Sequence, residues 1–231
     1  MLLLPTFGID INPFLFLLTD LRFRYESDWF RVANNREHRW IDELAALFSA
    51  PKWEILRHNL RLREDGKDLT DIDFATYDKE ANELAVMQLK WQHPVGMDNR
   101  GRRSAGKNLF DESNRWIAAV ISWLERHGIE ELMRRFGFNS KCSPKVSLFV
   151  LGRYHVHLSG FDNRDNRAIW SDWAHFRRIC IEEAKTLSLE QLAMRIRKDV
   201  LYARSIKRGE STMFPVGNIV VVLNPTSVPP A

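Results

Sequence analysis

A chain of 231 residues, 45% of them hydrophobic, carries enough apolar mass for a full core and is short enough to be one domain with appendages. Charged residues make up 28% and the formal net charge is +4, so a polyanionic partner is permitted but not demanded. Its two cysteines, Cys142 and Cys180, lie far apart without metal-ligand spacing, which fits a reducing, cytoplasmic setting where thiols stay free.

The apolar run from Met1 to Leu18 is interrupted by Asp10, Asn12 and two prolines and has no basic segment before it, so it reads as neither signal peptide nor membrane span. From Asn35 to Ser49 the residues Trp40, Ile41, Leu44, Leu47 and Phe48 recur at helical spacing, giving a first helix with one buried stripe that Pro51 stops. Trp53 to Leu62, Thr70 to Tyr77 and Glu83 to Trp91 read as strands of a meander, the last two joined by a turn over Asp78 to Asn82. Between His93 and Lys107, Pro94 and three glycines with Arg100, Arg102, Arg103 and Lys107 predict a long basic loop. A helix from Asp111 to His127 buries Ile117, Val120, Ile121 and Leu124 and ends at Gly128, and Val146 to Leu158 returns as a strand. A Trp-rich helix near Ser171 to Ala184, a helix opened by a capping box of Ser188 and Gln191, and an apolar tail from Ile219 to Leu223 complete the chain. The expected architecture is an α/β domain with a mixed central sheet flanked by helices. Residues 1–34 form an N-terminal extension, 35–184 the core domain, and 185–231 a C-terminal helix and tail.

The hairpin carries the chemistry. On its second strand Ala85, Met87, Leu89 and Trp91 share one face, and Val86, Gln88, Lys90 and Gln92 the other. On its first strand Ile72 and Phe74 share a face opposite to Asp71, Asp73, Ala75 and Tyr77. Burying the apolar faces together fixes the parity of pairing, since a one-residue slip would turn a strand inside out. With Tyr77 opposite Leu84, Asp73 falls opposite Gln88 and Asp71 opposite Lys90. Mg²⁺ or Mn²⁺ takes hard oxygen ligands, commonly one or two carboxylates with waters and substrate phosphate oxygens. Asp73 offers a carboxylate, Gln88 an amide oxygen and Leu89 a backbone carbonyl. Lys90 stands where an ammonium would orient the attacking water or offset charge on the phosphate. A cross-strand ion pair of Asp71 and Lys90 on a solvated face is the competing reading of the same residues.

These residues resemble the restriction-endonuclease-like, or PD-(D/E)xK, nuclease superfamily. There a helix with a glutamate precedes strands presenting an aspartate, then an acidic residue or glutamine, one spacer and a lysine, followed by a helix and a further strand. Here the counterparts are Glu43 or Glu37 on the first helix, "TDIDF" around Asp73, and "VMQLKW" with Gln88 and Lys90, over roughly residues 30 to 160. The resemblance implies an αβββαβ core in which Asp73, Gln88 and a helix-one glutamate bind metal and Lys90 serves the water. Glu43 is favoured for its closeness to the first strand, with Glu37 a turn and a half earlier. The family's proline is absent, and Gln88, as in modification-dependent and some transposon-end enzymes of the superfamily, removes one negative ligand.

Other patterns carry less. Gly101 to Lys107 has the glycine and lysine positions of a phosphate-binding loop, but Asn108 replaces the needed hydroxyl and no apolar strand precedes it. His155 and His157 alternate on a strand near Asp162 and Asp165, a zinc-compatible spacing without a further ligand. Arg195, Arg197, Lys198, Arg204, Lys207 and Arg208 read as a solvated helix face. Arg100, Arg102, Arg103 and Lys107 instead follow the catalytic strand directly and read as a phosphate surface. The expectation is a Mg²⁺- or Mn²⁺-dependent endonuclease of restriction, transposition or defence type. It would act on nucleic acid, most plausibly DNA, as a homodimer or with a partner subunit and without a membrane. The alternative from another class is a nucleic-acid-binding module or structural subunit whose nuclease core no longer turns over.

Overall fold

Apolar residues of this chain sort onto the two faces of one sheet. The structure is a computed structural model and describes residues 2–4, 7–9, 21, 24–31, 33–56, 58–91, 99–140, 142–154, 156, 163–183, 187–205, 212–216 and 219–223. A short hairpin of β1 (Leu2–Leu4) and β2 (Phe7–Ile9) is followed by α1 (Glu26–Arg31) and α2 (Ala33–Leu47). Then come β3 (Trp53–Leu56), β4 (Leu60–Glu64), β5 (Lys67–Ile72), β6 (Phe74–Asp78) and β7 (Glu83–Lys90). Helices α3 (Asn99–His127) and α4 (Ile129–Phe136) lead to β8 (Lys145–Gly152) and β9 (Ala168–Asp172). Helices α5 (Trp173–Glu183) and α6 (Leu189–Ser205) and a hairpin of β10 (Thr212–Val216) and β11 (Ile219–Leu223) follow.

The central sheet has five strands in the order β3-β6-β7-β8-β9. The pairs β3/β6 and β6/β7 are antiparallel, and β7/β8 and β8/β9 are parallel, so the protein is α/β with a mixed sheet. A parallel neighbour needs a crossover, and α3 with α4 supplies the one from β7 to β8. Side chains alternate along β7, so Leu84 and Val86 join Trp116, Ile117, Val120 and Trp123 of α3 on one face. Ala85, Met87 and Leu89 join Trp40 and Leu44 of α2, Phe176 of α5 and Leu192 and Ile196 of α6 on the other. Among the described residues, no helix is long and apolar enough to cross a membrane.

Tyr77 faces Leu84, the register that the hydrophobic parity requires. The capping box also forms: Ser188 N–H donates to Gln191 Oε1 at 2.9 Å, and Gln191 N–H to Ser188 Oγ at 3.3 Å.

Four expected elements take other shapes. The strand read over Trp53 to Leu62 is two strands in different sheets, and that over Thr70 to Tyr77 divides at Asp73, because β4 and β5 leave the central sheet to pair with each other. From residue 99 onward the expected loop is the first part of the 29-residue α3. Gly101 and Gly106 each cost a helix about 1 kcal/mol against Ala, but the packing of Leu109, Phe110, Trp116, Ile117, Val120 and Trp123 outweighs them. The strand expected to Leu158 ends at Gly152, and Ala168–Asp172 forms a strand ahead of the Trp-rich helix. His155, His157 and Asp162 lie outside the described residues, as do Lys207 and Arg208.

Candidate active site

Asp73 stands where the chain changes partner. Ile72 before it belongs to the β4/β5 ribbon and Phe74 after it to the central sheet. Its backbone N–H donates to Met87 O at 3.3 Å although Met87 is already the partner of Phe74, so two residues face one and the chain bulges at Asp73 instead of setting it squarely opposite Gln88. Gln88 alternates with Met87 and Leu89, so its side chain opens on the α3 face of the sheet.

Asp73 is 6% exposed. Oδ2 accepts the Leu89 N–H at 2.7 Å, and Oδ1 accepts the Asn59 side-chain amide at 3.2 Å. Asn59 Nδ2 also donates to Asp71 Oδ2 at 2.8 Å, so one amide bridges two carboxylates. Burial pushes the Asp73 carboxyl up from 3.8 to about 7. The Leu89 N–H opposes that shift, the negative charges of Asp71 and Glu37 add to it, and the Lys90 ammonium offsets part of it.

Gln88 is 7% exposed, and its Oε1 has no hydrogen-bond partner. A buried amide oxygen left unpaired costs about 1 to 3 kcal/mol, and this atom shares that state with Thr76 Oγ1 and Ser113 Oγ among the described residues. The Leu89 carbonyl lies on the same side of β7 as its N–H, which points at Asp73, and so faces the same gap. Lys90 Nζ donates to Glu112 Oε2 of α3 at 3.2 Å.

The structure does not bring every expected residue together. Asp71 is not opposite Lys90: β5 has left the sheet, and Asp71 pairs in register with Arg61 of β4. The competing Asp71–Lys90 ion pair is therefore replaced by Lys90–Glu112. Glu43 Oε2 accepts Arg153 Nη1 at 2.7 Å. Arg153 in turn lies over Trp40, Trp91 and Trp173, with ring centres 5.7, 5.1 and 5.6 Å away, beside the helices of the opposite face. Of the two helix-one glutamates, it is the charge of Glu37 that reaches Asp73. Arg100, Arg102 and Arg103 occupy the first turns of α3, where their side chains lie outside the described residues, and Lys107 is exposed. Asp165, from the zinc-compatible group, is taken up by Arg167 at 2.6 Å.

Asn59 and Glu112 were not foreseen. Asn is depleted in strands, so Asn59 inside a supposed strand is the signal that the chain breaks there. Glu112 has no signal in the sequence, because only the crossover of α3 brings it to Lys90.

Among the described residues no three His, Cys, Asp or Glu side chains form a ready metal cluster. The oxygen set here fits instead an ion such as Mg²⁺ or Mn²⁺ that keeps several waters. It comprises one buried carboxylate, one unpartnered amide oxygen and one backbone carbonyl. A cation would also favour the ionised form of Asp73 that burial disfavours. No protein-family model, curated protein or solved structure matches this chain.

Proposed function

We propose that this protein is a metal-dependent nuclease with a restriction-endonuclease-like core, hydrolysing phosphodiester bonds of DNA. The observation that carries the reading is the unpartnered oxygen of Gln88, next in the chain to Leu89, whose N–H the buried Asp73 accepts; a hard cation would draw on both side-chain oxygens. The element order α2, β3, β6, β7, α3, β8, with its mixed sheet, also agrees with such a core.

Asp73, Gln88 and the Leu89 carbonyl would hold the ion, with Glu37 rather than Glu43 as the helix-one contributor. When bound, the metal lowers the pKa of a coordinated water and polarises the scissile phosphate. The Leu89 and Asn59 donors fix the Asp73 carboxylate in one rotamer, so its lone pairs are set before substrate arrives. Lys90 orients the attacking water and offsets charge developing on the phosphate oxygens. Arg100, Arg102, Arg103 and Lys107, which follow the catalytic strand in the chain and fall within the first part of α3, would hold the nucleic-acid backbone. Cleavage of both strands would use two copies of the chain. The free thiols of Cys142 and Cys180 suit a cytoplasmic enzyme.

Incubation of supercoiled plasmid with Mg²⁺ or Mn²⁺ is the direct test. Nicking or linearisation is expected, with Lys90→Ala slower by about 1000-fold and unchanged in DNA binding in EDTA. No nicking in either metal overturns the reading. Gln88 in place of an acidic residue favours a second reading, a nucleic-acid-binding module without turnover, which DNA retention without nicking would select.

A further inference from the structure

Lys90 carries a compact charge on a flexible four-carbon stem, so a reaction that uses its ammonium needs something to hold it. The described partner is Glu112, whose Oε2 lies 3.2 Å from Nζ. The two side chains are 22% and 53% exposed, so the pair is open to water and weak enough to yield to substrate.

Glu112 is itself held in place. One turn on, Trp116 lies on the same face of α3, is 3% exposed and donates its Nε1–H to Asp71 O at 2.6 Å. Buried Leu109, Phe110 and Ser113 seat the same stretch of helix against the sheet. Helix α3 thereby braces both strands of the site, the Asp71 end of β5 through Trp116 and the Lys90 end of β7 through Glu112.

We propose that Glu112 is the positioning residue for Lys90, holding one of the three N–H donors of its ammonium and leaving two for the attacking water and the phosphate. The proposal rests on the nuclease reading and deepens it.

The test compares Glu112→Ala and Glu112→Gln with the unaltered protein in metal-dependent plasmid nicking and in ¹³C relaxation of labelled lysine side chains. Glu112→Ala should lower kcat by about 10- to 100-fold with KM unchanged, and give the Lys90 side chain the mobility of a surface lysine. Glu112→Gln, whose amide oxygen can still accept from the ammonium, should recover most of both. Wild-type kcat in Glu112→Ala, or an immobile Lys90 in that variant, overturns the proposal and leaves the nuclease reading standing. Equal losses in both variants with a lowered Tm would make Glu112 merely structural and likewise overturn it. An unaltered protein that nicks nothing removes both.

Discussion

The hairpin of β6 and β7 has two ends, and both bury polar groups. At the turn, Asp78 accepts Lys52 Nζ at 3.1 Å and the N–H groups of Glu80 and Ala81 at 3.0 and 3.1 Å. Glu83 accepts Ser188 Oγ at 3.2 Å and the Glu190 N–H at 2.8 Å, and so closes the start of α6. At the open end, Asp73 is pushed up to about 7 by burial and the Gln88 oxygen has no partner. The same two strands thus hold ionised groups among cationic and N–H partners at one end and, at the other, a buried carboxyl pushed up by burial beside an unpartnered amide oxygen.

The sharpest way to break that contrast is pH. The folded-state pKa of Asp73 lies above its unfolded value near 3.8, so the fold holds the extra proton between the two. Without metal, stability should fall by about 4 kcal/mol as pH rises from 3.8 to about 7 and stay level above, and Asp73→Asn should abolish this contribution. Urea unfolding in EDTA at several pH values reads it. Asp78→Ala strands a part-buried Lys52 and two N–H groups and should cost about 3 kcal/mol at neutral pH in the same assay.

Smaller changes sharpen the comparison. Gln88→Met keeps the volume and removes the orphaned oxygen. It should raise stability in EDTA by about 1 kcal/mol while reducing the rise in Tm that Mn²⁺ gives the unaltered protein. Equal Mn²⁺ stabilisation in both proteins would place the ion elsewhere. Ser188→Ala, which removes a cap and one donor to Glu83, should lower stability by about 0.5 to 1 kcal/mol and leave Mn²⁺ binding untouched, as scanning calorimetry would show.

Much of this was legible wherever pattern and local chemistry agree. The apolar stripe of α2, the Tyr77–Leu84 register and the Ser188 capping box needed only short-range rules. The excursion of β4 and β5 was not legible, because the alternation of Leu60, Leu62, Ile72 and Phe74 runs unbroken through the point where partners change. Ile72 packs in one apolar cluster and Phe74 in the other, which only the tertiary partner reveals. Glycines hid the start of α3, whose packing overrides their low helix propensity. Helix α4 was readable in principle, since Ile129, Leu132, Met133 and Phe136 follow helical spacing. Within the site, spacing supplied Asp73, Gln88 and Lys90. Spacing could not show that Glu43 is taken up by Arg153 while the charge of Glu37 acts on Asp73, since both follow from where α2 is placed.

The central claim is that Asp73 and Gln88 share a divalent cation. Titration of Mn²⁺ into the protein at about pH 8, where Asp73 is ionised, followed by the paramagnetic resonance of free ion, tests it most directly. One saturable ion per chain, lost in Asp73→Asn and weakened in Gln88→Met, is the expected result. An unaltered protein that binds no ion, or an Asp73→Asn variant that binds it equally well, would contradict the account.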